Sequence, residues 1–284
     1  MVWRAWLRGI DLPIYVVGVM PPLVGAAATL ATPSPLPWTH WAWATGAFLL
    51  LHAAVNVYND AFDAATMADR FKRHSLARLA SVGNLHAVAT LLLATGCAIG
   101  IALWLRVGGW TIPLLSACGV FLVFAYHAPP LRLSHRGWGE AVTFLGFGVI
   151  PVWTVAALAS GGLSRQAIWP GIWVGLAAAL ILYHHNVASC VQDAQAGKRT
   201  LATRLGNRGS RTAARAGAAI LCVGVAIWTG SWAWALATLA ALGALAVAAD
   251  VALARSNHFA RAASLAFFVA TSGSVLLKLV SHEA

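Results

Sequence analysis

Apolar residues run along this chain in blocks of about 18 to 23, separated by short stretches carrying Gly, Pro, Arg and Lys. At 1.5 Å per residue such a block crosses a hydrocarbon layer about 30 Å thick, and backbone groups inside that layer must bond within their own segment. The pattern therefore predicts helices. With turn residues and charges as punctuation, spans fall near 11–30, 39–58, 83–105, 110–127, 139–160, 168–188, 213–230, 232–250 and 262–280. The expected architecture is all-α: nine transmembrane helices in a single integral membrane domain covering residues 1–284. The first span lacks a small-residue cleavage site, so it reads as a span and not as a removable leader.

Composition sharpens this picture. Hydrophobic residues make up 60% of the chain and charged residues only 10%, against roughly 25% charged in a soluble domain. The net charge of +11 does not point to nucleic acid, because the basic residues are distributed among the loops. With the N-terminus cytoplasmic, sixteen of the 19 Lys and Arg residues lie on the inner side, and only Arg106, Arg165 and Lys278 lie outside. That bias follows the positive-inside rule and predicts a multi-pass protein of the cell (inner) membrane, with a cytoplasmic N-terminus and an external C-terminus. The four cysteines are scattered singly and read as small core residues.

The eight acidic residues follow no such rule. Asp11, Asp60, Asp63, Asp69, Glu140, Asp193 and Asp250 all fall at the cytoplasmic ends of spans, and only Glu283 lies opposite. Carboxylates near a bilayer are costly, so their gathering on one face calls for bound cations. Two segments carry the same pattern: Asn56, Asn59 and Asp63 at the end of the second span, and Asn186, Ser189 and Asp193 at the end of the sixth. Offsets of three and seven share one helix face. Asn56 and Asn186 are 130 positions and four spans apart, which suggests two related four-helix halves followed by a ninth helix. Oxygen ligands without a His or Cys partnership favour a hard cation such as Mg²⁺, which takes one or two carboxylates together with phosphate oxygens. Arg70, Lys72 and Arg73 follow the first segment, and Lys198 and Arg199 follow the second, so each is flanked by cations suited to phosphate.

On these residues the chain resembles the UbiA superfamily of intramembrane aromatic prenyltransferases. Asn59-Asp60-Ala61-Phe62-Asp63 matches the first family signature, with Asp69 six residues on; that spacing is similar to the 1,4-dihydroxy-2-naphthoate prenyltransferases of menaquinone synthesis. Asp193-Ala194-Gln195-Ala196-Gly197-Lys198-Arg199-Thr200-Leu201-Ala202 resembles the second signature, and Arg136-Gly137-Trp138-Gly139-Glu140 resembles a motif of the naphthoate branch. The resemblance extends from Arg8 and Leu12-Pro13 to Tyr126 and Arg132. One departure stands out: Ser189 occupies the position of the first Asp of the second signature. A neutral hydroxyl replaces an expected metal-binding carboxylate there, with Asn186, His185 or Gln192 as possible compensation.

The resemblance implies Mg²⁺-dependent transfer of a prenyl group from an isoprenyl diphosphate to an aromatic acceptor, 1,4-dihydroxy-2-naphthoate or a related quinone precursor. Asp63 and Asp193 are then the principal metal ligands, assisted by Asn59, Asp60, Asp69, Asn186 and Ser189. Arg8, Lys72, Arg132, Lys198 and Arg199 are the diphosphate candidates. Tyr126 and Glu140, with Tyr58, are candidates for orienting or deprotonating the acceptor, although Tyr58 also fits a membrane-interface residue and Glu140 a helix N-terminal charge. His184 and His185 read first as packed residues. Two other activities remain open: a terpene cyclase or prenyltransferase with an atypical acceptor, suggested by Ser189, and a membrane transporter, which should instead carry ionisable groups near the bilayer midplane.

Overall fold

A computed structural model describes residues 12–30, 32–65, 75–230 and 257–281 of the protein. After a 3₁₀ turn at Leu12–Tyr15, the main helices are α1 (Val16–Ala27), α2 (Trp38–Ala65), α3 (Val82–Val107) and α4 (Thr111–His127). The next span is α5 (Gly139–Phe144), a π-helical turn at Leu145–Val149, and α6 (Ile150–Ala157). Then come α7 (Arg165–Ala188), the short α8 (Cys190–Gln195), α9 (Leu201–Thr229) and α10 (Asn257–Ser281). Among the described residues every regular element is helical. Eight of the nine expected spans coincide with a described helix, and the span near 232–250 lies outside the described residues.

Four of these helices, Val82–Val107, Gly139–Ala157, Arg165–Ala188 and Arg208–Thr229, are long and apolar enough to cross a membrane. Val16–Ala27, Thr111–His127 and Leu265–Ser281 are shorter apolar helices. Leu91, Ile101 and Leu105 on α3, Phe121 on α4, and Ile220 and Ile227 on α9 are exposed, an outward apolar surface that suits lipid.

Local chemistry explains several boundaries. The Ser81 hydroxyl caps α3 by accepting from the Asn84 N–H at 3.2 Å, and Thr200 caps α9 in the same way through Thr203. Helix α2 runs seven residues beyond the expected 58, because Asn59 to Asp63 continue it past the apolar stretch. Helix α9 begins at Leu201, ahead of the expected 213, and carries a non-helical Gly206 in its basic first turns. There the apolar pattern starts only after Arg204, Arg208 and Arg211, so hydropathy locates the span but not the helix start.

The largest buried cluster joins Val17 and Val24 of α1, Val152 of α6, Val174 and Ala178 of α7, Leu221 and Val225 of α9, and Phe267 and Phe268 of α10. A second joins Ala54, Val57 and Tyr58 of α2 to Leu85, Ala89 and Leu93 of α3 and Val123 of α4. Where the π turn crosses α7 the backbones nearly touch: a Cβ on Gly148 would lie 2.0 Å from the Gly175 Cα. Small residues permit this approach, and in lipid such close packing is a main source of helix association. Gly148→Ala should therefore lower stability by about 1–3 kcal/mol, seen as earlier thermal unfolding in detergent. Gly146→Ala on the same turn, with nothing within 4 Å of its Cβ, should leave the melting curve unmoved; equal curves for both variants would contradict this packing.

Candidate active site

Three segments distant in sequence converge at the end of the bundle formed by the C-terminal ends of α2, α4 and α7. Asp63, in the last turn of α2, is 2% exposed. Its Oδ2 is 3.3 Å from Lys198 Nζ, and its Oδ1 is 3.5 Å from His135 Nε2. Lys198 follows α8, whereas His135 closes a 3₁₀ turn after α4 (Leu133–His135). The backbone fastens these two segments to each other: the Arg199 N–H donates to the His135 carbonyl at 2.9 Å, and Arg204 Nη2 to the Arg136 carbonyl at 2.7 Å. Gly137, with φ of 79°, fits this seam because a Cβ there would sit 3.0 Å from the Arg199 carbonyl.

Asp193 lies on α8. Its Oδ2 is 3.0 Å from the Ser189 hydroxyl, and its carbonyl accepts from the Lys198 N–H at 2.9 Å. Burial holds the Asp193 carboxyl above its ordinary carboxylate value, the Lys198 cation and the Ser189 hydroxyl pull it down, Asp63 adds to the rise, and His135 opposes it. Asp63 and Asp193 thus sense each other and the same lysine. The second polar segment departs from the expected continuous helix: α7 ends at Ala188, and Ser189 (φ −99°, ψ 8°) separates it from α8. The Ser189 hydroxyl also lies 2.9 Å from the His185 carbonyl, a side chain to backbone contact that competes with regular helix.

The remaining expected residues fall as follows. Asp60, one turn before Asp63, turns Oδ2 to the Leu76 N–H at 2.8 Å, so one of its oxygens anchors the returning chain. Asn59 is half-buried on the same helix. Asn186 is buried and donates from Nδ2 to Glu140 Oε1 at 2.9 Å, tying α7 to the first turn of α5. Tyr126 ends α4 edge-on to His127, with ring centroids 4.6 Å apart, and is within electrostatic range of Glu140, Asp63 and Asp193. Arg132 adopts a left-handed conformation (φ 43°) and its Nε is enclosed without a hydrogen-bond partner. The Arg199 side chain is exposed. Arg8, Asp69 and Lys72 lie outside the described residues.

His135 is the residue that sequence reasoning passed over. Its signal was its place between Arg132 and Arg136, both already singled out, in the segment that follows α4. Among the described residues no three His, Cys, Asp or Glu side chains form a ready-made metal cage. The oxygen-only donors at Asp63, Asp193 and Ser189 nevertheless fit Mg²⁺, whose sites are commonly completed by substrate phosphate oxygens and water. The enclosed Nε of Arg132 and the ammonium of Lys198 are donors suited to such oxygens.

A multi-pass helical membrane protein with its carboxylates and cations gathered at one end of the bundle is the class that this geometry defines. Residues 19–272 match the UbiA prenyltransferase family, and the chain belongs to that family. It is therefore an enzyme of the prenyltransferase type, and the transporter alternative lapses. The chain is 29% identical over 211 residues to the 2-carboxy-1,4-naphthoquinone phytyltransferase of Synechocystis, covering 72% of this chain and 67% of that protein. It is 28% identical to the 1,4-dihydroxy-2-naphthoate octaprenyltransferase of Mycobacterium tuberculosis, covering 74% and 71%. The corresponding Arabidopsis thaliana phytyltransferase is 28% identical, and the chain spans 55% of its length. In fold, the chain resembles a UbiA homolog from Archaeoglobus fulgidus bound to GPP and Mg²⁺, with TM-score 0.64, 15% identity, and 98% of each chain covered. It also resembles an apo UbiA homolog from Aeropyrum pernix, with TM-score 0.63, 17% identity, and 95% and 99% covered.

The Ser189 contact gives a pH test on the metal-free protein. Ser189→Ala removes a donor that favours the charged form, so the Asp193 pKa should rise further in a carboxyl ¹³C NMR titration. A carboxyl whose folded-state value is raised adds stability at low pH and loses that contribution as pH climbs through the raised value. The loss starts at the same unfolded-state value in both proteins, so the variant should lose a larger increment and keep losing it to higher pH than the parent; an unchanged Asp193 titration would show that the hydroxyl does not act on it.

Proposed function

We propose that this enzyme transfers a prenyl group from an isoprenyl diphosphate to 1,4-dihydroxy-2-naphthoate or a related quinone precursor, with Mg²⁺ as cofactor. The single observation that carries the reading is the convergence of Asp63, Asp193 and Lys198, from the two polar segments, at one end of the bundle. Relatives that act on naphthoate or naphthoquinone acceptors support the choice of acceptor, and the GPP and Mg²⁺ bound by the archaeal homolog support the donor and metal.

In this reading Asp63 and Asp193 hold Mg²⁺, with Asn59, Asp60, Asp69, Asn186 and Ser189 assisting. The chemistry the ion supplies when bound is neutralisation of diphosphate charge. Lys198, freed from Asp63, binds diphosphate oxygens together with Arg132, Arg199, Arg8 and Lys72. The allylic carbon to oxygen bond breaks with its electron pair leaving on the diphosphate, so cations around that group stabilise the transition state more than the ground state. The apolar helices keep water from the allyl cation until an aromatic carbon attacks it. That ring carbon then loses its former substituent, CO₂ if it carried a carboxylate and a proton if it carried hydrogen. Asn186 holds Glu140 in place, and Glu140 with Tyr126 orients the acceptor or takes up its proton.

Nine spans in two four-helix halves plus a ninth, with the site on the cytoplasmic face and the C-terminus outside, complete the proposal; the distribution of Lys and Arg supports it. The hydroxyl at Ser189, where the family pattern carries a carboxylate, favours one second reading: a cyclase or an enzyme with an atypical acceptor.

The test is to incubate purified protein with Mg²⁺, labelled geranyl or farnesyl diphosphate, and naphthoate, benzoate and homogentisate acceptors. A prenylated naphthoate product is expected. A cyclised terpene formed without any acceptor would favour the second reading, and no turnover of any isoprenyl diphosphate would overturn both. Asp63→Asn and Asp193→Asn should each lower turnover at least about 10²-fold, on the scale of losing one electrostatic group in a pre-organised site. Retained turnover in Asp193→Asn would remove the metal assignment.

A further inference from the structure

The opposite end of the bundle holds a second cationic site. A cavity of 270 Å³ opens between the start of α7, the end of α1 and the ends of α9 and α10, lined by Arg165, Gln166, Trp169, Trp228, Lys278 and Leu279 among others. Helix α7 separates it from the carboxylate site, with Arg165 at one end and Ser189 at the other; its 24 residues correspond to about 36 Å. Arg165 and Lys278 are two of only three basic residues assigned to this side of the membrane, so topogenesis does not explain their meeting.

Helix electrostatics do not explain Arg165 either. It occupies the first position of α7, where the partial positive charge of the helix end disfavours a cation. Neither Arg165 nor Lys278 forms an ion pair among the described residues. Lys278 arrives from α10, 113 positions later in the chain (278 minus 165), and lies 4.5 Å from the centre of the Trp228 ring while donating to the Trp228 carbonyl. That bond holds the ammonium at the cavity and leaves two of its three N–H groups for a ligand. Three of the helix-end carbonyls near it are engaged elsewhere: Ala26 and Ala27 accept from Thr29 and Leu30, and Ala226 accepts from Gly230. The cavity therefore presents two cations, a helix N-terminus and the Gln166 amide, with the 54%-exposed Trp169 at its edge. Tryptophan at that level suits the boundary between headgroups and acyl chains.

We propose that this cavity binds the phosphodiester headgroup of an anionic phospholipid, with its acyl chains lying along Trp169 and Leu279. Guanidinium, ammonium and helix N–H groups share a preference for phosphate oxygens, and the apolar edge selects a lipid over a free anion. The inference rests on the membrane location alone and not on the prenyl-transfer reading.

The full chain, reconstituted in nanodiscs of phosphatidylcholine with phosphatidylglycerol, tests it by native mass spectrometry. The parent protein should retain one phosphatidylglycerol in preference to phosphatidylcholine. Arg165→Gln should weaken retention about fivefold, and the double variant with Lys278→Gln about 25-fold, on the usual contribution of each basic residue near a lipid surface. Prenyl-transfer turnover in neutral detergent should stay at the parent level. Arg165 is exposed, so the single variant decides the matter if loss of Lys278 prevents folding. Equal retention by the parent and Arg165→Gln would overturn the proposal, as would full competition by millimolar inorganic phosphate, which would identify a free-anion site.

Discussion

An almost completely buried carboxylate cannot remain charged without cations close by, and Asp63 is 2% exposed. Its two oxygens are met by Lys198, 135 residues later, and by His135, 72 positions later (135 minus 63). Those contacts draw the segment after α8 and the turn after α4 over the end of α2. The seam between them is closed by backbone bonds at His135, Arg136, Arg199 and Arg204. The arrangement of the polar end follows from that need, since the segment after α8 brings the Lys198 counter-charge for Asp63, and the turn after α4 brings the His135 ring and the carbonyls that hold that segment in place.

The same contacts suit the chemistry of the family. A lysine resting on a carboxylate stays close to the place where an anionic substrate and a divalent ion would arrive together, and it can exchange one anion for the other. Asp193, raised by burial and restrained by Lys198 and Ser189, is tuned by the same neighbours. The apolar body of the protein contributes by close packing: the contact of Gly148 with Gly175 holds the π turn against α7. Helix α7 thereby carries Asn186 to Glu140 and delivers Ser189 and Asp193 to the site.

Hydropathy alone located eight of the helices, four of them long and apolar enough to cross a membrane, because a lipid-spanning segment must be both apolar and helical. Their ends were less legible. The polar Asn59 to Asp63 stretch continues α2, and the basic turns before residue 213 already belong to α9, since hydropathy follows lipid and not backbone hydrogen bonding. The repeated Asn, small polar and Asp pattern pointed to Asp63 and Asp193 as groups that share an environment. It did not reveal the break at Ser189, which depends on a local contact with the His185 carbonyl. His135 was invisible for a related reason: its contact with Asp63 depends on how the chain turns after α4, and no periodicity records that turn. The cavity at Arg165 and Lys278 was hidden too, because its two cations are joined only by the packing of α7 against α9 and α10.

The central claim is that Asp63 and Asp193 share one space in which a divalent ion meets a diphosphate. Its most direct measurement is electron paramagnetic resonance of Mn²⁺ titrated into the protein with a non-reactive prenyl thiodiphosphate, with ³¹P couplings read by electron–nuclear double resonance. The account predicts saturable Mn²⁺ binding with phosphorus coupling in the parent, lost when either aspartate becomes asparagine. Binding and coupling that survive both substitutions would contradict it.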